Sequence, residues 1–90
     1  ARLSRLSRTE FLAPASADLR EINYAFNLTL PQLDHRSLNG FILTELGHVP
    51  AQGETFESSG VLIEILEASD TQVILTRLTK LSLSDRDPSS

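Results

Sequence analysis

Few residues in this chain have the types and spacing that chemistry demands. His35 and His48 lie thirteen residues apart, outside the HxH and HExxH spacings that bring two imidazoles onto one metal. There is no cysteine, which removes a thiolate zinc site, a cysteine nucleophile and a disulfide scaffold together. No Asp-x-Asp-x-Asp-Gly run is present to wrap calcium. The four glycines, Gly40, Gly47, Gly53 and Gly60, are six or seven residues apart, too widely spread to cradle a phosphate between a strand and a helix. Ser37, His48 and Asp34 supply the residue types of a nucleophilic triad, but a chain of this length offers such combinations by chance. No residue is therefore assigned a catalytic or metal-ligating role, and the chain reads as a non-enzyme.

Two further features have simpler structural readings. Asn27-Leu28-Thr29 matches a glycosylation sequon, and Asn27 also suits the left-handed position that ends a helix. His48 follows the end of a predicted helix, where its ring can meet the last carbonyls.

Charge and length narrow the function classes. The 90 residues carry eight basic and twelve acidic groups, net −4. Arg2, Arg5 and Arg8 sit at the start, so the remainder holds five basic against twelve acidic groups, net −7. Such a body repels a phosphate backbone, which excludes nucleic acid as the expected partner. No apolar run approaches the ~20 residues that cross a bilayer, and the start does not resemble a signal peptide. The chain contains no methionine and opens Ala1-Arg2-Leu3, which reads as a piece of a longer protein.

The elements that position these residues follow from periodicity. Residues 1–7 read as a linker, 8–81 as one domain and 82–90 as a flexible polar tail. A short strand at Arg8–Leu12 stops at Pro14. Ser16 is the expected N-cap of a helix at about 17–26, with Leu19, Ile22, Ala25 and Phe26 at helical spacing. Ser37 caps a second helix, 37–46, whose Leu38, Phe41, Ile42 and Leu46 share a face before Gly47 and Pro50. Gly40 inside it costs stability relative to alanine and predicts close approach by another backbone or a bulky side chain. Strands are predicted at 54–57, 61–68 and 72–81, the last two as a hairpin through Ser69-Asp70-Thr71. The order β-α-α-β-β-β makes the domain α+β, a small mixed or antiparallel sheet with two helices on it. Both hairpin strands carry apolar residues on each face, so helices cover one face and the other is partly covered. The predicted core is Leu38, Phe41, Ile42 and Leu46 with Leu19, Ile22, Phe26, Phe56, Val61, Ile63 and Ile65.

One combined pattern is specific. Ser37-Leu38-Asn39-Gly40-Phe41-Ile42-Leu43-Thr44-Glu45-Leu46-Gly47-His48-Val49-Pro50, then Gly53-Glu54-Thr55-Phe56 and Val61-Leu62-Ile63-Glu64-Ile65-Leu66-Glu67, resembles the CorC/HlyC transporter-associated domain. That family has a Thr/Ser-x-x-Gly helix ending in Leu-Gly-x-Ile/Val-Pro, a Gly-acidic strand and a hairpin. With the earlier strand and helix, the resemblance covers about residues 8–80. It implies a C-terminal accessory domain of a bacterial magnesium/cobalt efflux or hemolysin-like protein, modulating transport of ion substrates. Its neighbours in the same parent chain would be CBS and membrane domains. A cytoplasmic location follows, with the parent in the bacterial inner membrane and no membrane insertion of this segment. It also implies a fold related to part of an FAD-binding, PCMH-like domain, and hence the alternative of a sensor for flavin or an adenine nucleotide; fold analogy alone does not create such a site. A weak homodimer through the sheet edge or the hairpin is a further expectation. The sequence departs from the family pattern at His48, where Arg is frequent, and at Ala13-Pro14-Ala15, where a glycine usually precedes the first helix.

Overall fold

A computed structural model describes residues 3–32 and 37–81. The expected tail at 82–90, together with Arg2, Asp34 and His35, lies outside the described residues. The elements are β1 (Ser4–Arg5), β2 (Glu10–Pro14), α1 (Leu19–Phe26), α2 (Leu38–Leu46), β3 (Thr55–Ser58), β4 (Val61–Ala68) and β5 (Val73–Lys80). All pairings are antiparallel, and the strands lie in the order β1-β2-β5-β4-β3. The α+β fold with two helices is thus present. β1 lies in the stretch read from sequence as a linker.

Both helices are set by their ends. The N-cap of α1 is Asp18, not the expected Ser16: its carboxylate accepts the Arg20 N–H at 2.8 Å. Aspartate here also meets the positive end of the helix dipole. Leu19, Ile22 and Phe26 are buried, whereas Ala25 is exposed. Asn27 ends the helix at φ 56°, a conformation asparagine tolerates better than most side chains. Asn23 then takes the Leu30 N–H and donates to the Leu30 carbonyl, both at 3.0 Å. This clasp turns the chain so that Leu28 and Leu30 also enter the core. For α2 the expected caps are present: Ser37 Oγ accepts the Gly40 N–H, and Gly47 sits at φ 77°. Gly40 does not have the expected crowding, since among the described residues a Cβ there would meet only Ser37 Oγ, at an ordinary 3.5 Å.

One face of the sheet carries the helices. Register places Arg5, Phe11, Leu78, Ile63 and Phe56 in one row across all five strands. Phe11 stacks on Phe26 with centroids 4.1 Å apart, and the Arg5 guanidinium lies 5.0 Å from the Phe11 centroid. A cation over a ring face is a favourable contact, so an arginine of the basic start covers the end of the core. The adjacent row, Ala13, Thr76 and Ile65, is fully buried. Thr76 is, among the described residues, the buried polar side chain of the core, and its hydroxyl donates to the Ala13 carbonyl at 2.9 Å. Such a partner removes most of the cost of burying a hydroxyl.

Strict alternation fails in β5. Register shifts between Ile65 and Glu67, and again between Glu67 and Ala68, displace the end of the hairpin. Val73 consequently joins Thr76 and Leu78 on the buried side instead of standing with Leu75, and Ile74 is 39% exposed. At the other hairpin, Ser59 and Gly60 both have positive φ, 54° and 77°, as a two-residue turn matching strand twist requires. The outward face holds Leu12, Leu62 and Leu75, half-buried, around an ion pair between Arg77 and Glu64, which face each other across β5 and β4.

Candidate functional site

A cleft of about 460 Å³ is lined, among the described residues, by Ser16, Ser37, Asn39, Gln72, Val73 and Ile74. Three segments meet to form it: the turn after β2, the start of α2 and the turn entering β5. The turn after β2 is fastened to the helix. The Leu38 and Asn39 N–H groups donate to the Ala17 and Ala15 carbonyls at 3.0 and 2.8 Å, and Gly40 N–H donates to Ser37 Oγ. Burial of Ala13 and Ala15 without bulk lets the helix backbone come this close. The β5 turn is held by Ser69, whose Oγ accepts the Gln72 N–H at 3.2 Å, and by Asn39, whose Oδ1 accepts the Val73 N–H at 2.7 Å.

These bonds decide what the cleft can take. A helix start attracts anions through free N–H groups, and here the N–H groups of Leu38, Asn39 and Gly40 all have protein acceptors. Among the described residues, the lining has no charged side chain and no aromatic ring on which a flavin or adenine would stack. Another hollow of about 150 Å³ lies between the α1 C-cap and the Ser59-Gly60 turn, with Lys80 among its lining residues.

The candidate triad is not assembled. Ser37 and His48 lie at opposite ends of α2, a nine-residue helix, and thus more than about 13 Å apart along its axis; Asp34 is outside the described residues. His48 has the expected contact with the helix end, Nδ1 lying 3.0 Å from the Leu46 carbonyl, and its Nε2 is 3.5 Å from Glu54 Oε2. The other Glu54 oxygen accepts the Ala51 N–H at 3.0 Å. His48 therefore ties the end of α2 to the start of β3. Among the described residues, no three His, Cys, Asp or Glu side chains converge as a metal site. Ser16 and Ser37 stand out in the sequence as helix caps, but Gln72 and Ile74 do not stand out as their neighbours; the one available signal is the polar turn before Val73.

The family model for the transporter-associated domain CorC_HlyC matches residues 4–82. The chain belongs to the CorC/HlyC transporter-associated domain family. A UPF0053 protein of Haemophilus influenzae is 41% identical over 66 residues, covering 73% of this chain and 16% of that protein. The Escherichia coli UPF0053 inner membrane protein YfjD is 40% identical over 58 residues, 64% of this chain and 14% of that protein. A Buchnera aphidicola protein named magnesium and cobalt efflux protein CorC is 25% identical over 77 residues, 86% of this chain and 26% of that protein. Among solved structures, a conserved Haemophilus influenzae protein of unknown function superposes with a TM-score of 0.82 at 34% identity, over 90% of this chain and all of that one. The chain spans between 14% and 26% of the length of these three curated relatives, so the transporter-associated domain occurs within larger proteins. Among the described residues, no helix of this domain is long and apolar enough to cross a membrane.

Proposed function

We propose that this chain is a non-catalytic accessory domain that modulates ion transport by a larger bacterial protein of the magnesium/cobalt efflux or hemolysin-like class. The observation that carries this reading is the family match over residues 4–82. It is supported by a relative named for magnesium and cobalt efflux and another named as an inner membrane protein. In this reading the domain lies on the cytoplasmic side, next to CBS and membrane domains of the same parent. The flavin or nucleotide alternative gains no support from the cleft, whose lining among the described residues holds no aromatic or charged side chain.

The test is deletion of residues 8–80 from the parent, followed by measurement of magnesium and cobalt flux in cells and vesicles. Altered flux with the truncated parent still inserted and at normal abundance is the expected result. Unchanged flux and unchanged metal tolerance would refute the proposal.

A further inference from the structure

We infer that residues 3–9 are a strap, closed over the core by Arg5, that opens while the other four strands stay paired and so couples the domain to the chain leading into it. The opening is a property of this chain alone; its regulatory use rests on the accessory-domain reading above.

The attachment is slight. β1 is an edge strand and meets β2 through two residue pairs, Ser4 with Leu12 and Arg5 with Phe11. β2 meets β5 through five. That ladder is extended at both ends, by Lys80 N–H donating to the Thr9 carbonyl at 2.7 Å and Ala15 N–H to the Ile74 carbonyl at 2.9 Å. Among the described residues, the strap's other hydrogen bonds are local. The Leu6 and Ser7 N–H groups both reach the Glu10 carbonyl, at 2.8 and 3.1 Å, Ser7 Oγ accepts from the Thr9 and Glu10 N–H groups, and Arg5 Nη1 donates to the Arg8 carbonyl. Arg5, Leu6, Ser7 and Arg8 are exposed. A segment with short-range bonds and little buried apolar surface opens at a much lower free energy than the core.

Two side chains fasten the strap to the core. Leu3 packs against it, partly buried, and the Arg5 guanidinium lies 5.0 Å from the Phe11 centroid. Phe11 is itself 1% exposed and stacked on Phe26 of α1. Opening the strap therefore uncovers part of the Phe11 ring and makes β2 the edge of the sheet, with main-chain groups free to pair. The stack on Phe26 and the pairing with β5 persist. The stretch read from sequence as a linker is thus built into the sheet at its start. In a parent protein, a pull on the chain entering at Leu3 acts first on β1, so the position of the neighbouring domains sets how often Phe11 is uncovered.

Hydrogen exchange of the 90-residue chain, followed by NMR over a series of low urea concentrations, tests the opening. Leu6 and Leu12, the latter paired with Ser4, report the strap; Lys80 and Ala15 report the β2–β5 ladder. The expected result is an opening constant at least about tenfold larger for the first pair and independent of urea, against a urea-dependent one for the second. Arg5→Met should raise the exchange of Leu6 and Leu12 about two- to fivefold and leave Lys80 and Ala15 unchanged, and Arg5→Lys, which keeps a cation for the ring, should restore most of the protection. One shared opening constant for all four amides, or no effect of Arg5→Met on Leu6 and Leu12, would overturn the strap. In the parent, Arg5→Met should shift magnesium and cobalt flux in the direction that deletion of residues 8–80 does. If deletion alters flux and Arg5→Met does not, the coupling is refuted and the accessory reading stands; if deletion has no effect, that reading fails and the exchange result still decides whether the strap opens.

Discussion

Replacing Gly40 with alanine should stabilise this domain, and the same replacement at Gly47 should destabilise it. Both glycines belong to α2 or its cap, but their backbones differ. Gly40 lies within the helix, and a methyl group there would meet Ser37 Oγ at 3.5 Å, an ordinary contact. The change removes the conformational entropy that glycine loses on folding and adds no clash, a gain of about 0.5–1 kcal/mol. In a domain of this size that raises the melting temperature by about 2–8 °C. Gly47 has open space around the position of a Cβ but a φ of +77°. An alanine there is strained by about 1–2 kcal/mol whatever the room available. Thermal and urea unfolding of the two variants beside the parent sequence would measure both. A Gly40→Ala domain less stable than the original by more than about 0.5 kcal/mol would refute the packing described here. Equal losses at both positions would show that space, and not backbone conformation, governs this helix.

Two other outcomes follow from the packing. Phe41, only 1% exposed on the face of α2 that packs on the core, should cost about 3–5 kcal/mol as Phe41→Ala in urea unfolding; a loss below about 1 kcal/mol would mean that the helix is docked differently. Across the outward face, a double-mutant cycle of Glu64→Ala and Arg77→Ala should give a coupling of only about 0.2–1 kcal/mol, because both side chains keep contact with water.

The sequence made α2 legible because several signals agreed: Ser37 at the start, apolar residues at helical spacing, and Gly47 with Pro50 at the end. For α1, the apolar face was legible but its start was not, because Ser16 and Asp18 are both good caps and only packing of the turn against α2 selects the second. Strand β1 escaped notice since Ser4 and Arg5 have no alternating apolar pattern; what recruits Arg5 is the ring of Phe11, a contact between strands. Ala13 and Ala15 were equally silent. Their burial reflects how closely α2 approaches, which no local pattern encodes. The hairpin was visible, but period-two counting could not reveal the register shift that moves Val73 inward and Ile74 outward. The cleft depends on that shift and on the meeting of three distant segments, so Ser16 and Ser37 were readable as caps but not as neighbours.

The strand order has a consequence for how the molecule assembles. β3, β4 and β5 are consecutive in the chain and form a meander, but β2 pairs with β5, and the Thr76 hydroxyl meets the Ala13 carbonyl across 63 residues of sequence. Contacts that close long loops carry a larger entropic cost before any native interaction rewards them. The meander is therefore the natural nucleus, and capture of the Glu10–Pro14 strand is the late step that closes the sheet. Phe11 has its stacking partner on α1, so that same late step seats the ring against a helix already attached to the next segment of chain. Substitutions in the Ser59-Gly60 turn should alter the folding rate, whereas those around Phe11 should act chiefly on the rate of unfolding.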